Sequence, residues 1–216
     1  VIEGIHTKKY LLPSIQREFV WSPEQIKMLF DSLMSDYPIN SFLFWKVSKE
    51  KASEFKFYEF LRDYHQKDHR HNPKANISGS DDVMAVLDGQ QRLTSLYIAL
   101  KGTYTNKLAY KKWDNPLAYP KKKLYINLLG TPDDISYEYD FEFLTDLEAN
   151  KFDTDHHWFP VGKILDLKEQ YDVMNYMIEA GLSSNPDKEK AKYANKVLYK
   201  LHSVIHVNKL ISYYLE

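Results

Sequence analysis

Apolar residues recur every three or four positions in several stretches of the chain, which is the spacing of one helix face. The clearest stretch follows Ser22-Pro23, where Ser22 can cap a helix, Pro23 suits its first position and Gln25 completes a capping box. The apolar face of this predicted helix consists of Ile26, Leu29, Phe30, Leu33 and Met34. The patterns further along the chain predict helices over residues 91–101, 168–180 and 187–206.

Shorter apolar or alternating runs predict β-strands. Apolar runs at residues 42–47 and 83–87 indicate buried strands. Further strands are predicted over residues 54–60, 123–128, 137–143 and 210–216, and the polar residues 64–82 predict a mobile loop. Because strands mixed with helices give way to a mainly helical region, the fold class is α+β.

The composition fits a globular chain and excludes several kinds of chemistry. The 216 residues, 44% of them hydrophobic, suit one domain with a sizeable core, or one domain plus part of another. A formal net charge of −1 lacks the basic excess of a protein that neutralises duplex-DNA phosphates, so any nucleic-acid contact must be local. The absence of cysteine excludes disulfides, thiolate nucleophiles and cysteine zinc sites. Without a leader pattern or a long apolar run, we expect a soluble, cytoplasmic protein without membrane contact.

Two charged runs and two groups of histidines are better explained as solvated surface than as sites. Lysines dominate residues 101–123 and acidic residues dominate residues 133–155, and such runs are common on protein surfaces. Histidines occur at His65, His69 and His71 in the polar loop, and as the pair His156-His157. Neither histidine group lies on a helix that gives it metal-ligand spacing, so we interpret both as surface histidines.

The most informative segment is a strand, a turn and a helix that carry Asp88-Gly89-Gln90-Gln91-Arg92. A glycine at the corner lets the backbone approach a ligand closely, and the first turn of a helix presents N–H groups that attract anions. Arg92 adds a planar cation suited to phosphate, and Asp88 offers a carboxylate for a divalent cation that bridges phosphates. Thr94 adds a hydroxyl group if its side chain faces the corner.

A structural alternative stays open for this corner, in which Asp88 only caps the helix and Arg92 pairs with it. Two glutamines and an arginine are poor residues to bury after a strand without a ligand, which favours a phosphate site. A second segment, Gln16-Arg17-Glu18-Phe19-Val20-Trp21, precedes the capped helix and is another place for an anion. Trp21 could stack on a base, although packing at the helix start is the more common role.

Together these two segments, within residues 10–21 and 86–96, resemble the N-terminal domain of the GmrSD-type restriction proteins, which belong with the ParB and sulfiredoxin-like superfamily. The resemblance is strong in the first half of the chain and loose after Gly130. It implies a ParB-like mixed-sheet core with flanking helices over residues 1–130, and a mainly helical continuation of that domain over residues 131–216.

The resemblance also implies a function and a set of site residues. GmrSD-type relatives hydrolyse nucleoside triphosphates with a divalent cation, here expected to be Mg²⁺, and couple hydrolysis to restriction of modified phage DNA. The implied partners are a nucleoside triphosphate, DNA bound through other domains, and an HNH-type nuclease domain in the same or a partner chain. Alternatives are a non-catalytic module that senses nucleotide or DNA phosphates, and a ParB-like nuclease. The residues carried over are Asp88, Gln91, Arg92 and Arg17 for catalysis, Gln16, Gly89, Gln90 and Thr94 for nucleotide binding, and Asp88 again for the metal.

One family feature is missing from these residues. Relatives usually carry a further segment of the form Phe-x-Arg-x-Asn-x-x-Gly after a strand like that at residues 208–215, and this sequence ends before it. If that segment completes the site, these 216 residues fold but bind nucleotide weakly or not at all. The missing initiator methionine and the final strand without a turn lead us to expect a longer protein that continues beyond Glu216.

Overall fold

The computed structural model describes residues 1–15, 17–77, 82–151, 153–207 and 212–215, and within them helices and short strands are mixed along the chain. This confirms the predicted α+β class, with a mixed sheet and several helices. The helices are α1 Ile2–His6, α2 Pro23–Met34, α3 Lys49–Ala52, α4 Gln90–Lys101, α5 Asp146–Ala149, α6 Gln170–Glu179 and α7 Lys188–His202. The strands are β1 Tyr10–Pro13, β2 Phe42–Val47, β3 Phe57–Tyr58, β4 Asp63–His65, β5 Val83–Asp88, β6 Thr103–Thr105, β7 Lys123–Asn127, β8 Phe141–Leu144, β9 Trp158–Pro160 and β10 Ser212–Leu215.

The chain divides into two compact units that are interleaved along the sequence. The first consists of residues 1–22, 40–120 and 210–216, and the second of residues 23–39 and 121–209. Compact units and domains are different divisions of a chain, so the domain boundary expected after residue 130 stays a prediction. In the described residues, no helix has both the length and the apolar composition that crossing a membrane requires.

The first unit is built on a five-stranded mixed sheet with the order β10-β2-β5-β1-β3. The central strand β5 is parallel to β1 and antiparallel to β2, while β10 is parallel to β2 and β3 is antiparallel to β1. Ala85 and Val86 of β5 are completely buried. The apolar run predicted as a buried strand therefore forms the middle of the sheet, where both of its faces are covered.

Helix α4, which follows β5, is buried on almost every side. Leu93, Ser95 and Ile98 are at most 1% exposed although they point in different directions around the helix. Helix α1 packs against it and bonds to it, with His6 Nδ1 lying 3.1 Å from the hydroxyl oxygen of Tyr97. A helix covered on almost every side has little freedom to move, so the corner at its N-terminus is held on a rigid support.

A separate pair of parallel strands, β4 and β6, also belongs to the first unit. β4 falls at the start of the region that the sequence predicts as a loop, because its backbone pairs with β6 from Asp63–Thr103 to His65–Thr105. The strand predicted over residues 54–60 is shortened to β3. Glu54, Phe55 and Lys56 remain exposed, so alternation of residue types alone did not place them in a sheet.

The second unit combines a three-stranded antiparallel sheet, ordered β8-β7-β9, with helices α2, α6 and α7. The predicted strand at 123–128 is present as β7, whereas the strand predicted over 137–143 begins only at Phe141. The last predicted helix ends as an α-helix at His202 and continues as one π-helical turn, Ser203–Val207. In the final predicted strand, Ser212–Leu215 are in β-structure, while residues 210, 211 and 216 lie outside the described residues.

Candidate functional site

The corner between β5 and α4 is a tight turn that only glycine fits. Gly89 has a φ of +86°, a left-handed conformation that side chains disfavour. A Cβ atom at this position would collide with the Phe42 ring and would lie 3.2 Å from a terminal nitrogen of Arg92. The Gly89 carbonyl accepts the first bond of the helix, from the Leu93 N–H at 2.9 Å. The pairing of β2 with β5 is irregular between Leu43 and Phe44, beside this corner.

Asp88 and Arg92 form an ion pair across this turn. The Arg92 guanidinium donates to Asp88 Oδ2 at 3.2 Å and also lies over the Phe42 ring, 4.8 Å from its centroid. The Arg92 side chain is only 15% exposed, whereas that of Asp88 is 67% exposed. The pairing that the sequence left open as a structural alternative is thus formed, but it lies at the surface rather than in closed protein.

Gln91 connects the two candidate segments of the sequence, residues 16–21 and 88–92. Its amide oxygen accepts a bond from the Val20 N–H at 3.1 Å, and its amide nitrogen donates to the Glu18 carbonyl at 2.9 Å. Both ends of one side chain are therefore used to hold the backbone that follows Arg17. The segment is anchored further by the buried ring of Phe19 and by the Tyr104 hydroxyl, which donates to the Trp21 carbonyl.

Arg17 borders a cleft of about 280 Å³ in the first unit. Its neighbours there include Glu18 and His71, whose carboxylate and imidazole Nδ1 are 2.6 Å apart. Among the described residues, the lining of this cleft includes none of residues 88–92. The structure thus joins the backbones of the two segments, while the cleft beside Arg17 does not reach the corner.

The remaining predicted site residues are more buried. Gln90 is 9% exposed, and its amide oxygen has no hydrogen-bond partner in the part of the chain that the structure describes. Thr94 lies one turn further along α4 and is 3% exposed. Gln16 lies outside the described residues.

Comparison with known proteins gives the family. The model of the family described as "GmrSD restriction endonuclease, N-terminal domain" matches residues 1–216. The chain belongs to this family. A curated relative, an uncharacterized protein of Methanocaldococcus jannaschii, is 34% identical over 119 residues, which are 55% of this chain and 19% of that protein. The matched part of the chain therefore spans about a fifth of the relative's length.

The divalent cation that the sequence resemblance implies would have few protein ligands here. No group of three His, Asp or Glu side chains able to hold a metal ion occurs among the described residues. Asp88 supplies one exposed carboxylate at the corner. This fits Mg²⁺, which usually binds through one or two carboxylates, substrate phosphates and water, and it does not fit a cage made of protein ligands alone.

The second unit contains an ionisable pair, His157 and Tyr176, and sequence reasoning assigned the histidine of this pair to the surface. His157 is half-buried, and its Nε2 lies 2.9 Å from the Tyr176 hydroxyl oxygen. Burial, with a smaller effect from the nearby Lys163, lowers the pKa of His157, and burial raises the pKa of Tyr176 to about 12. Both residues line a cleft of about 740 Å³. The only sequence signal was the apolar strand Trp158–Pro160 directly after the histidines, which was too short to be predicted.

Proposed function

We propose that this chain is the nucleoside-triphosphate-binding domain of a modification-dependent DNA restriction protein of phage defence, and that the full-length protein hydrolyses the nucleotide at the corner between β5 and α4. In this proposal hydrolysis regulates restriction, DNA is bound through other domains, and an HNH-type nuclease domain in the same or a partner chain cuts it. Family membership supports a role in restriction, and the chemistry of the β5–α4 corner in the first unit supports nucleotide binding.

The observation that carries the proposal is the double hydrogen bond of Gln91 to the backbone at residues 18 and 20. Two segments that are about 70 residues apart in sequence, each with an arginine, are joined at the N-terminus of a rigid helix. Helix N-termini and arginines both favour phosphate oxygens. A structural corner alone would not need to position a second arginine-bearing segment.

The proposed roles combine what the side chains at the corner contact with what the family resemblance implies for Arg17. Arg92 and the first turn of α4 bind phosphate oxygens, and Gly89 lets them approach the backbone. Arg17 neutralises charge that develops on the transferred phosphoryl group. Gln91 acts first as a positioning residue, because orienting the attacking water would require its amide to give up one of its two bonds.

The divalent cation would bind at Asp88, where its chemistry is to offset phosphate charge. To bind the cation, the Asp88 carboxylate has to break its ion pair with Arg92. The Asp88 side chain is exposed, so it can exchange one partner for the other. Gln90 and Thr94 are buried, so they contribute by shaping the corner unless the helix end rearranges.

The test measures phosphate release by the full-length protein, with each common nucleoside triphosphate and Mg²⁺ in turn. The substitution Arg92→Ala is compared with Arg70→Ala, which removes an exposed arginine of the same unit. Loss of one positioned charge lowers turnover about 10²–10³-fold, so Arg92→Ala should lose hydrolysis while Arg70→Ala keeps it. Circular dichroism shows whether both variants fold.

The outcomes separate the alternative functions. Unchanged turnover in folded Arg92→Ala contradicts the proposed site. Nucleotide binding by calorimetry without phosphate release in the full-length wild type supports the non-catalytic sensing module. Metal-dependent nicking of DNA by residues 1–216 alone supports the ParB-like nuclease, which the described residues disfavour because they contain no acidic metal cluster.

A further inference from the structure

We propose that the first unit carries a contact surface for single-stranded nucleic acid, formed by residues 65–71 and 106–120. This surface, called here the aromatic–lysine surface, is distinct from the β5–α4 corner and does not depend on nucleotide hydrolysis. Its longer segment, residues 106–120, lies within the basic part of the sequence whose simplest interpretation was a solvated face.

The two segments lie side by side because they leave the same edge of a sheet. β4 and β6 are parallel and in register up to His65 and Thr105, and each segment begins where its strand ends. The Gln66 N–H donates to the Thr105 carbonyl at 2.9 Å, and the Lys107 N–H donates to the Gln66 side-chain oxygen at 2.7 Å. The aromatic–lysine surface is therefore one continuous feature made from two loops.

The longer loop is internally braced. The Leu108 N–H donates to the Ala118 carbonyl at 2.7 Å, which closes its base. Lys107 Nζ donates to the carbonyls of Leu108 and Lys111 at 3.1 and 2.8 Å. A loop held in this way loses little conformational entropy when a ligand binds.

Aromatic rings stand on this braced loop with faces open to solvent. Tyr110 is fully exposed, and its φ of +61° is unusual for a bulky residue. Trp113 is 50% exposed and packs by its edge against Tyr119, whose other neighbour is the stacked ring of His65. An exposed tyrosine in a strained conformation adds nothing to the stability of the fold. A binding role for its ring, on which a base can stack, accounts for it better.

The charge of the two segments matches a polyanion. They contain five Lys and Arg against two Asp, although the whole chain has a net charge of −1. Lys67, Lys111 and Lys112 are exposed, and no ion pair to any of the three is formed within the described residues. Lys67 Nζ lies 5.9 Å from the centroid of the Tyr119 ring, so cations and rings are close enough to contact one strand together.

Cations next to stackable rings favour an unpaired strand over a duplex. Bases of a single strand expose their faces and stack on aromatic side chains, whereas the faces of paired bases are covered by their neighbours. Lysine and aromatic residues also occur at anionic membrane surfaces, which makes vesicle binding a competing outcome of the test.

The experiment measures fluorescence anisotropy of a labelled oligothymidylate of about 20 nucleotides, which is longer than the roughly 4–16 nucleotides that one single-strand site covers. It uses both the 216-residue chain and the full-length protein. An abasic strand of equal length keeps the phosphates and removes the bases. The wild-type protein should bind the abasic strand about tenfold more weakly than oligothymidylate, because no base can stack. The variant Tyr110→Ala should bind oligothymidylate about tenfold more weakly than the wild type does, because it has lost a ring on which a base stacks.

Charge is tested by the double variant Lys111→Glu/Lys112→Glu. It should bind weakly and reduce the slope of log affinity against log salt by about 1.4, at about 0.7 per phosphate contact on a single strand. The matched control is Lys49→Glu/Lys51→Glu, which makes the same charge change at exposed positions on α3 of the same unit and should bind almost as the wild type does.

The proposal is overturned if the abasic strand binds as well as oligothymidylate, if both lysine pairs have equal effects, or if the protein binds phosphatidylserine vesicles and no oligonucleotide. Circular dichroism of each variant, together with retained affinity of Tyr110→Phe, separates loss of the contact from loss of the fold. Failure here leaves the nucleotide proposal intact, because Arg92 takes no part in this surface.

Discussion

Replacement of Gly89 by alanine tests whether the corner of the candidate site has room for any side chain. Two penalties add. A left-handed φ of +86° is expected to cost alanine about 1–2 kcal/mol. The new Cβ would also lie 2.8 Å from Cε1 of Phe42 and closer still to Cδ1, and overpacking of this kind costs about 1–3 kcal/mol. We therefore expect Gly89→Ala to lower the free energy of unfolding by about 2–5 kcal/mol.

Gly181 provides a matched control. Its φ is +70°, and among the described atoms nothing lies within 4 Å of the position that a Cβ would occupy. Gly181→Ala should therefore carry only the backbone penalty of about 1–2 kcal/mol. The difference between the two substitutions measures the contact with Phe42.

Urea unfolding gives the total free-energy changes, and amide hydrogen exchange resolves the two units. The reporters are the Leu93 N–H, bonded to the Gly89 carbonyl, and the Gly181 N–H, bonded to the Ile178 carbonyl. In the background Phe42→Leu, Gly89→Ala should cost less, since the ring that it meets is gone. An equal cost for both glycines, or no relief from Phe42→Leu, would refute the steric reasoning.

Three further changes have expected outcomes. Gln91→Leu removes both the oxygen that accepts from the Val20 N–H and the donor to the Glu18 carbonyl, so the amide of Val20 should exchange faster and the free energy of unfolding should fall by about 1–2 kcal/mol; unchanged exchange contradicts the connection between the segments. Asp31→Ala leaves two backbone N–H groups without the carboxylate oxygen to which they donate at 2.9 Å. The free energy of unfolding in urea should fall by about 3 kcal/mol, and Asp31→Asn should restore most of this loss. The lowered pKa of His157 means that the unfolded chain binds the proton more readily, so stability should fall as the pH drops below 6.5. The measurement is the urea midpoint as a function of pH, and its fall below pH 6.5 should be smaller in His157→Gln. If the fall is unchanged in this variant, other groups cause it.

Local patterns predicted the elements of this fold where one type of residue dominates. The run at Phe42–Val47 is apolar enough to be a strand in any environment, and its predicted bounds agree with β2. The spacing of apolar residues predicted helix α4, but it did not predict that almost every side of this helix is buried. Periodicity identifies the apolar face of a helix and contains no information on what packs against its other faces. β4 and β9 depend on partners that are distant in sequence, which a local pattern cannot contain.

The candidate site shows the same limit at the level of side chains. The sequence marked Gly89 and Arg92 correctly as parts of a strand-to-helix corner, since glycine and arginine have few roles there. It did not predict that the Gln91 side chain would hold the backbone at Glu18 and Val20, because that contact depends on tertiary packing. The half-buried state of His157 was missed for the same reason, since exposure of a histidine is decided by neighbours such as Tyr176.

The ion pair between Asp88 and Arg92 relates the two interpretations of the corner that the sequence left open. An ion pair with one exposed partner contributes only about 0–1 kcal/mol, so its exchange for another anion is inexpensive. The two partners differ, because Asp88 is 67% exposed and stays hydrated on leaving, whereas Arg92 is 15% exposed and lies over the Phe42 ring. A phosphate that displaces Asp88 would bind the guanidinium where it lies and leave the carboxylate free to bind a cation beside it. Under the proposed function, the ion pair and the phosphate-bound form would be two states of one corner, and added nucleotide should shield Arg92 from a guanidinium-modifying reagent while Asp88 becomes free; equal modification with and without nucleotide would contradict this.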